Sequence, residues 1–207
     1  SVNAVYAFLN GNMQVLQAVA DSPAKLSVDG KRLETLNASA GMGYVKTTMT
    51  GANLNTFTVE KTAPGTSWGS VYAQFTQRTT DIADASMGLS IKRELLYDGE
   101  LKVGSKVKVR ITITADRDYD FVQVVDKRAA CMEPANQLTG YRGGFYCSPR
   151  DNATYYYTDM MRKGTHVIEN TYYIDRPGTF TTGTCTVQCA YSPAYMARTK
   201  ALTITVK

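Results

Sequence analysis

Histidine is nearly missing from this chain: 207 residues hold a single one, His166. Imidazole is the common metal ligand and the common general base near neutral pH, so a histidine-built metal centre is ruled out. Hydrolysis by a Ser-His-Asp triad would have to run through His166 alone, and no GxSxG turn exists to present a nucleophile. Walker and Rossmann glycine patterns are also missing, which removes the usual phosphate cradles. No CxxC pair occurs, and no apolar run approaches the ~20 residues that a membrane span needs. Residues 1–9 have neither the basic start nor the long apolar stretch of a secretory signal. These absences leave no catalytic residue, metal or cofactor to expect.

The charge that is present is diffuse. The formal net charge is +5, with 23 Lys and Arg against 18 Asp and Glu. The basic residues are scattered, and Lys106, Lys108 and Arg110 fall at alternate strand positions, as on a solvated sheet face. Nucleic acid would ask for a concentrated basic patch with stacking aromatics, so it is not an expected partner. Asp116, Asp118, Asp120 and Asp126 lie close enough in sequence to invite a glycosidase reading, but alternating turn acids are usually solvated.

The residue pattern is mainly β. Val2, Val5, Tyr6 and Leu9 recur at helical spacing and predict a short N-terminal helix, which reads as the last turns of an upstream helical domain. From Lys25 onward, short Thr-, Val-, Tyr- and Ile-rich segments alternate with turn residues. Asp29-Gly30 predicts a hairpin and Pro64-Gly65 a turn. Strands are expected near Gly43 to Met49, Asn55 to Lys61 and Ser67 to Phe75. Polar and small residues from Thr79 to Ser86 break the pattern, and the domain boundary is placed there. The resulting division is a helical remnant at 1–11 and two β-sandwich domains, at 12–88 and 89–207.

In the last segment the alternation is clean. Val107, Val109, Ile111 and Ile113 fall on one face, and Lys106, Lys108, Arg110 and Thr112 on the other. A charged turn at Asp116 to Asp118 then predicts a hairpin with the strand Phe121 to Asp126. Lys127 to Thr154 reads as one long loop. Later strands are expected at Tyr155 to Thr158, Gly164 to Ile174, Gly178 to Ala190 and Ala201 to Val206. About seven strands with regular turn signals predict an Ig-like sandwich.

Four cysteines in a β-rich chain point to an oxidising compartment. Cys185 and Cys189, four apart on one strand, lie roughly 13 Å from each other and cannot pair. Each would need Cys131 or Cys147. The preferred pairing is Cys131 with Cys189 and Cys147 with Cys185; the swapped pairing and four free thiols are the alternatives. Tyrosine is abundant, at 14 residues, and a flat apolar ring with a polar tip suits both cross-strand packing and a binding surface.

Several runs resemble the C-terminal domain of bacterial alpha-2-macroglobulin family proteins: Lys102 to Arg110, Ala115 to Val122, Asp126 to Pro134, Lys163 to Val167, and Gln188 to Tyr195. The likeness spans roughly residues 95–207. Upstream, Asn3 to Leu9 is similar to the end of that family's thioester-type helical domain, and Gly41 to Thr47 with Ser67 to Tyr72 to the β domain that follows it. The resemblance implies a terminal macroglobulin-like sandwich and a fragment of a much longer, broad-range endopeptidase inhibitor. Such an inhibitor works in the periplasm or at the cell surface, and its partners are the other domains of its own chain and the target proteases. The family's reactive thioester belongs to the helical domain and is not expected in this chain. The segment from Ala190 to Arg198 corresponds to a loop that packs over the thioester, so Tyr191, Pro193 and Tyr195 are the implied shielding or interdomain residues.

Two other functions compete. One is a free-standing secreted adhesin or a glycan- or protein-binding β module. The other, a small hydrolase, would require His166 to titrate near neutrality in a cleft.

Overall fold

The computed structural model of the chain describes residues 2–14, 24–33, 36–37, 45–50, 55–62, 64 and 66–207. These fall into two compact units, Ser1–Ala73 and Gln74–Lys207. Of the two residues between which the sequence reading divides the chain, Gly88 is the turn joining two strands of the second unit and Leu89 opens the second of them. Gly41 to Tyr44 and the glycine of the Pro64-Gly65 turn lie outside the described residues.

The first unit opens with α1 (Val2–Gly11), as the apolar spacing predicts. Its stripe of Val2, Val5, Tyr6 and Leu9 is exposed. Next come β1 (Lys25–Val28), β2 (Lys31–Arg32), β3 (Leu36–Asn37), β4 (Val45–Lys46) and β5 (Phe57–Glu60). The expected hairpin forms at Asp29-Gly30: both residues have positive φ, 47° and 76°, as a type I′ turn requires, and Val28 pairs with Lys31. The Asp29 carboxylate also accepts the N–H groups of Asn55 and Thr56, which fixes β5 beside β1. Ser67 to Phe75, expected as a strand, pairs with nothing among the described residues and is exposed throughout. Its β-forming side chains favour a pleated surface only where a neighbouring strand supplies one.

The second unit is a β-sandwich made largely by one sheet folding over on itself. Its strands are β6 (Ala85–Met87), β7 (Leu89–Leu96), β8 (Lys106–Ala115), β9 (Tyr119–Lys127), β10 (Met132–Pro134), β11 (Gly140–Arg142) and β12 (Phe145–Pro149). They continue with β13 (Ala153–Met161), β14 (Gly164–Ile174), β15 (Gly178–Thr181), β16 (Cys185–Cys189), β17 (Met196–Thr199) and β18 (Thr203–Val206). Eleven of them run in the order β10-β14-β8-β7-β6-β17-β16-β9-β13-β12-β11, while β15 and β18 pair separately. All the pairings are antiparallel.

β8 buries the predicted row of Val107, Val109, Ile111 and Ile113, none more than 2% exposed. These meet Val122 and Val124 of β9 and Val187 of β16 in one cluster. The expected hairpin between β8 and β9 does not form. β8 pairs with β7 and β14, whereas β9 pairs with β13 and β16. Both strands carry an inward apolar row, and the turn at Asp116 to Asp118 takes the chain from one sheet layer to the other so that the rows face across the core. The stretch read as a long loop, 127–154, is folded too. Gly143 and Gly144, at φ 56° and 84°, turn the tight hairpin of β11 and β12, and β10 pairs with the end of β14. Gly178 to Ala190 divides into β15 and β16, and β17 begins inside the segment expected to be a loop. Among the described residues, no helix is long and apolar enough to cross a membrane.

Candidate functional site

The connection between β16 and β17, Ala190 to Tyr195, is the candidate site. β16 and β17 form an antiparallel pair from Cys185 with Thr199 to Gln188 with Met196, which sets the two ends of the connection side by side. The loop is tied at several points. Cys189 N–H donates to the Tyr195 carbonyl at 3.1 Å, Tyr195 N–H to the Ser192 carbonyl at 2.9 Å, and Ala190 N–H to the Phe121 carbonyl at 2.8 Å. Gln188 Nε2 donates to the Pro193 carbonyl at 3.1 Å, and Cys189 Sγ donates to the Asp120 carbonyl.

The two tyrosines named from sequence occupy different environments. Tyr191 is 80% exposed and meets Phe121 edge to face, with ring centroids 5.2 Å apart. Phe121 has φ 52°, an uncommon conformation for a bulky residue, and is itself half exposed. The pair forms an aromatic knob at the sheet's end. Tyr195 packs inward on Tyr119 at 5.4 Å, with the Arg117 guanidinium over its ring. The Tyr119 hydroxyl donates to Asp116 at 2.5 Å. Burial, reinforced by that carboxylate, pushes the Tyr119 phenol up to about 12, so it stays neutral and remains a donor. Arg117 and then Tyr119 hold Asp116 below its ordinary value. Gly88, at φ 71°, lies beneath: a Cβ there would overlap the Tyr119 hydroxyl and come within 2.9 Å of Tyr195 Cδ1. Sequence reading missed Gly88 and Phe121, because both matter through contacts between strands that are distant in the chain.

The four cysteines are buried free thiols, so the expected disulfides are not made. Register explains the Cys147 and Cys185 case. Cys147 lies opposite Tyr156, which lies opposite Val124, which lies opposite Val187. Cys147 is therefore three strands from β16, about 14 Å at ~4.8 Å per strand, well beyond the ~7 Å that a disulfide spans. Cys189 is engaged with Asp120, while the backbone carbonyl of Cys131 accepts from Asp175 beside β10. Burial raises the thiols of Cys131 and Cys147 and pushes Cys185 well above its ordinary value. Cys185 and Gln188 do stand at Cys-x-x-Gln spacing, but residues three apart on a strand point to opposite faces, so β16 cannot bring them together.

The carboxylates do not converge. Asp116 serves Arg117 and Tyr119, and Asp118 accepts the Lys163 N–H and pairs with Arg162. Asp126 is buried 2.9 Å from Arg93 Nη1. Arg93 also donates to the Lys127, Gly183 and Lys200 carbonyls and to Thr182, which ties together the segments around β9, β16 and β18. A signal for it was present: Arg93 stands at an inward alternate position between Ile91 and Leu95. His166 Nε2 lies 2.7 Å from the Arg162 carbonyl, at the start of β14. Among the described residues, no group of three or more His, Cys, Asp or Glu is placed to hold a metal ion. The tyrosines of β11, β12 and β13 divide. Tyr156 is in the core, while Tyr141, Tyr146 and Tyr157 line an open hollow of about 420 Å³ with Asp159 and Met160.

Comparison with solved structures finds the fold in bacterial alpha-2-macroglobulins. Salmonella alpha-2-macroglobulin reacted with methylamine is 22% identical, with a TM-score of 0.54 over 61% of this chain and 10% of that one. Trypsin-activated alpha-2-macroglobulin from Escherichia coli is 18% identical, with a TM-score of 0.55 over 61% and 11%. The native conformation of the E. coli protein is also 18% identical, with a TM-score of 0.55 over 66% and 10%. The chain thus matches about a tenth of each of these proteins. Comparison with curated proteins returns no match. The family model for the bacterial alpha-2-macroglobulin MG10 domain matches residues 73–194, more than half of the chain. The chain belongs to that family.

Proposed function

We propose that this chain is the non-catalytic C-terminal part of a bacterial alpha-2-macroglobulin-like inhibitor of endopeptidases, working in the periplasm or at the cell surface. Its second unit would dock on the parent's thioester-type helical domain through the connection from β16 to β17. In this reading α1 is the end of that helical domain, and the strands after it form a separate β domain.

The observation that carries the docking role is the contrast at the loop. Its backbone is tied down by four hydrogen bonds to named partners, yet it presents the Tyr191 ring to solvent against Phe121. A rigid, exposed aromatic pair loses little conformational entropy on docking and excludes water from whatever it covers. Tyr195, Tyr119, Arg117 and Asp116 form the base that aims it, and Pro193 stiffens the turn between the two tyrosines.

Hydroxyl-radical footprinting tests this. Tyr191 should be modified readily in the isolated 207-residue chain and be protected in the polypeptide from the source cells. Equal modification in both would contradict docking through this loop. The hollow lined by Tyr141, Tyr146 and Tyr157 favours a second reading, a free-standing glycan- or protein-binding module, since tyrosine rings with Asp159 beside them suit a sugar face.

A further inference from the structure

The sandwich of the second unit has two outward faces, and they differ in charge. On β7, β8 and β14 the outward side chains include ions that pair with one another: Lys92 with Glu94 at 2.7 Å, Arg110 with Glu169 at 2.7 Å and Lys108 with Glu169 at 3.3 Å. On the other layer, register sets Tyr141 opposite Tyr146, Tyr146 opposite Tyr157, Tyr157 opposite Gln123 and Gln123 opposite Gln188. Directly opposed residues share a face. These five therefore make one uncharged row over β11, β12, β13, β9 and β16, about 19 Å long at ~4.8 Å per strand.

The tyrosine end of the row is the open hollow of about 420 Å³, a volume in the range of sites that hold small ligands. Tyr141 and Tyr146 stand edge to face, with ring planes 70° apart and centroids 5.2 Å from each other, so their faces meet at a steep angle. Gln123 Nε2 donates to the Tyr157 hydroxyl at 3.3 Å, which leaves that phenol its own proton to donate. Asp159 is the single charged residue lining the hollow, and it has no ion pair among the described residues.

We infer that this row binds a neutral, β-linked glycan of glucose-type rings laid across the strands. Such a ring carries its substituents at the equator, which leaves a flat C–H face and a rim of hydroxyls. The C–H face suits the negative face of a tyrosine ring. The hydroxyls both donate and accept, as do the phenols and carboxamides of the row, and the Asp159 carboxylate accepts. Charge narrows the occupant. Nucleic acid and acidic polysaccharides need basic partners; the row has none, and Asp159 repels them. All five side chains of the row carry hydrogen-bonding groups, which an apolar protein anchor would leave unpaired. Naming this ligand rests on the hollow of the second reading, but it does not require that the chain stand alone.

The test titrates the full 207-residue chain by calorimetry with cellohexaose and with chitohexaose, at least one of which should bind saturably. Tyr141→Ala truncates a ring that is 77% exposed and outside the core, so the fold is kept; affinity should fall at least about tenfold. Tyr141→Phe keeps the ring and should recover most of that loss. A carboxylated cellohexaose should bind at least about tenfold more weakly than the neutral one, and Asp159→Asn should narrow the difference. Absence of saturable binding by either neutral glycan overturns the proposal. Binding indifferent to Tyr141→Ala, or equally tight for the carboxylated form, overturns it too. Protection of Tyr191 and the size of the native polypeptide are independent of this titration, so the ligand can fail while either reading of the chain stands.

Discussion

At the residue scale the thiols and one glycine make the sharpest claims. Four buried thiols, three of them pushed up by burial, should react slowly with iodoacetamide in the native chain. Counting under denaturing, non-reducing conditions should find four free thiols, and a count of zero would restore the disulfide reading. Gly88→Ala would force a side chain into positive φ and against Tyr119 and Tyr195. It should destabilise the fold by about 1–3 kcal/mol, read by urea denaturation. The spacing of cysteines in sequence set limits on pairing within one strand, but it could not reveal which sheet neighbours would separate Cys147 from Cys185. Tyr191 and Tyr195 were legible as a pair. Their opposite environments were not, since these depend on Tyr119 and Phe121 of the neighbouring strand β9 and on Arg117 just before it.

At the element scale, strict alternation was enough to assign the faces of β8, and the strand expected at Gly164 to Ile174 is β14. Ile111, 1% exposed, is in the middle of the inward row. Ile111→Ala should cost about 2–5 kcal/mol in urea denaturation, and Thr112→Ala on the wet face less than about 0.5 kcal/mol. Equal effects would contradict the assignment of faces. Sequence failed where pairing partners decide the outcome. Ser67 to Phe75 has β-forming residues and no ladder, whereas 127–154 has little alternation and still forms β10, β11 and β12. The connection from β8 to β9 was mistaken for a hairpin because a short charged turn looks the same whether it joins neighbours in one sheet or crosses between layers.

At the scale of the whole molecule, the sandwich follows from facing apolar rows, and family membership rests on residues 73–194. The proposed function makes the chain the terminal part of a much longer inhibitor. The most direct measurement is the size of the native polypeptide in its source cells, by immunoblot with antibody raised against the chain. A band well above ~100 kDa, larger than any one domain, is expected. A band near the 22.7 kDa of this chain would contradict the account and make it a free-standing binding module.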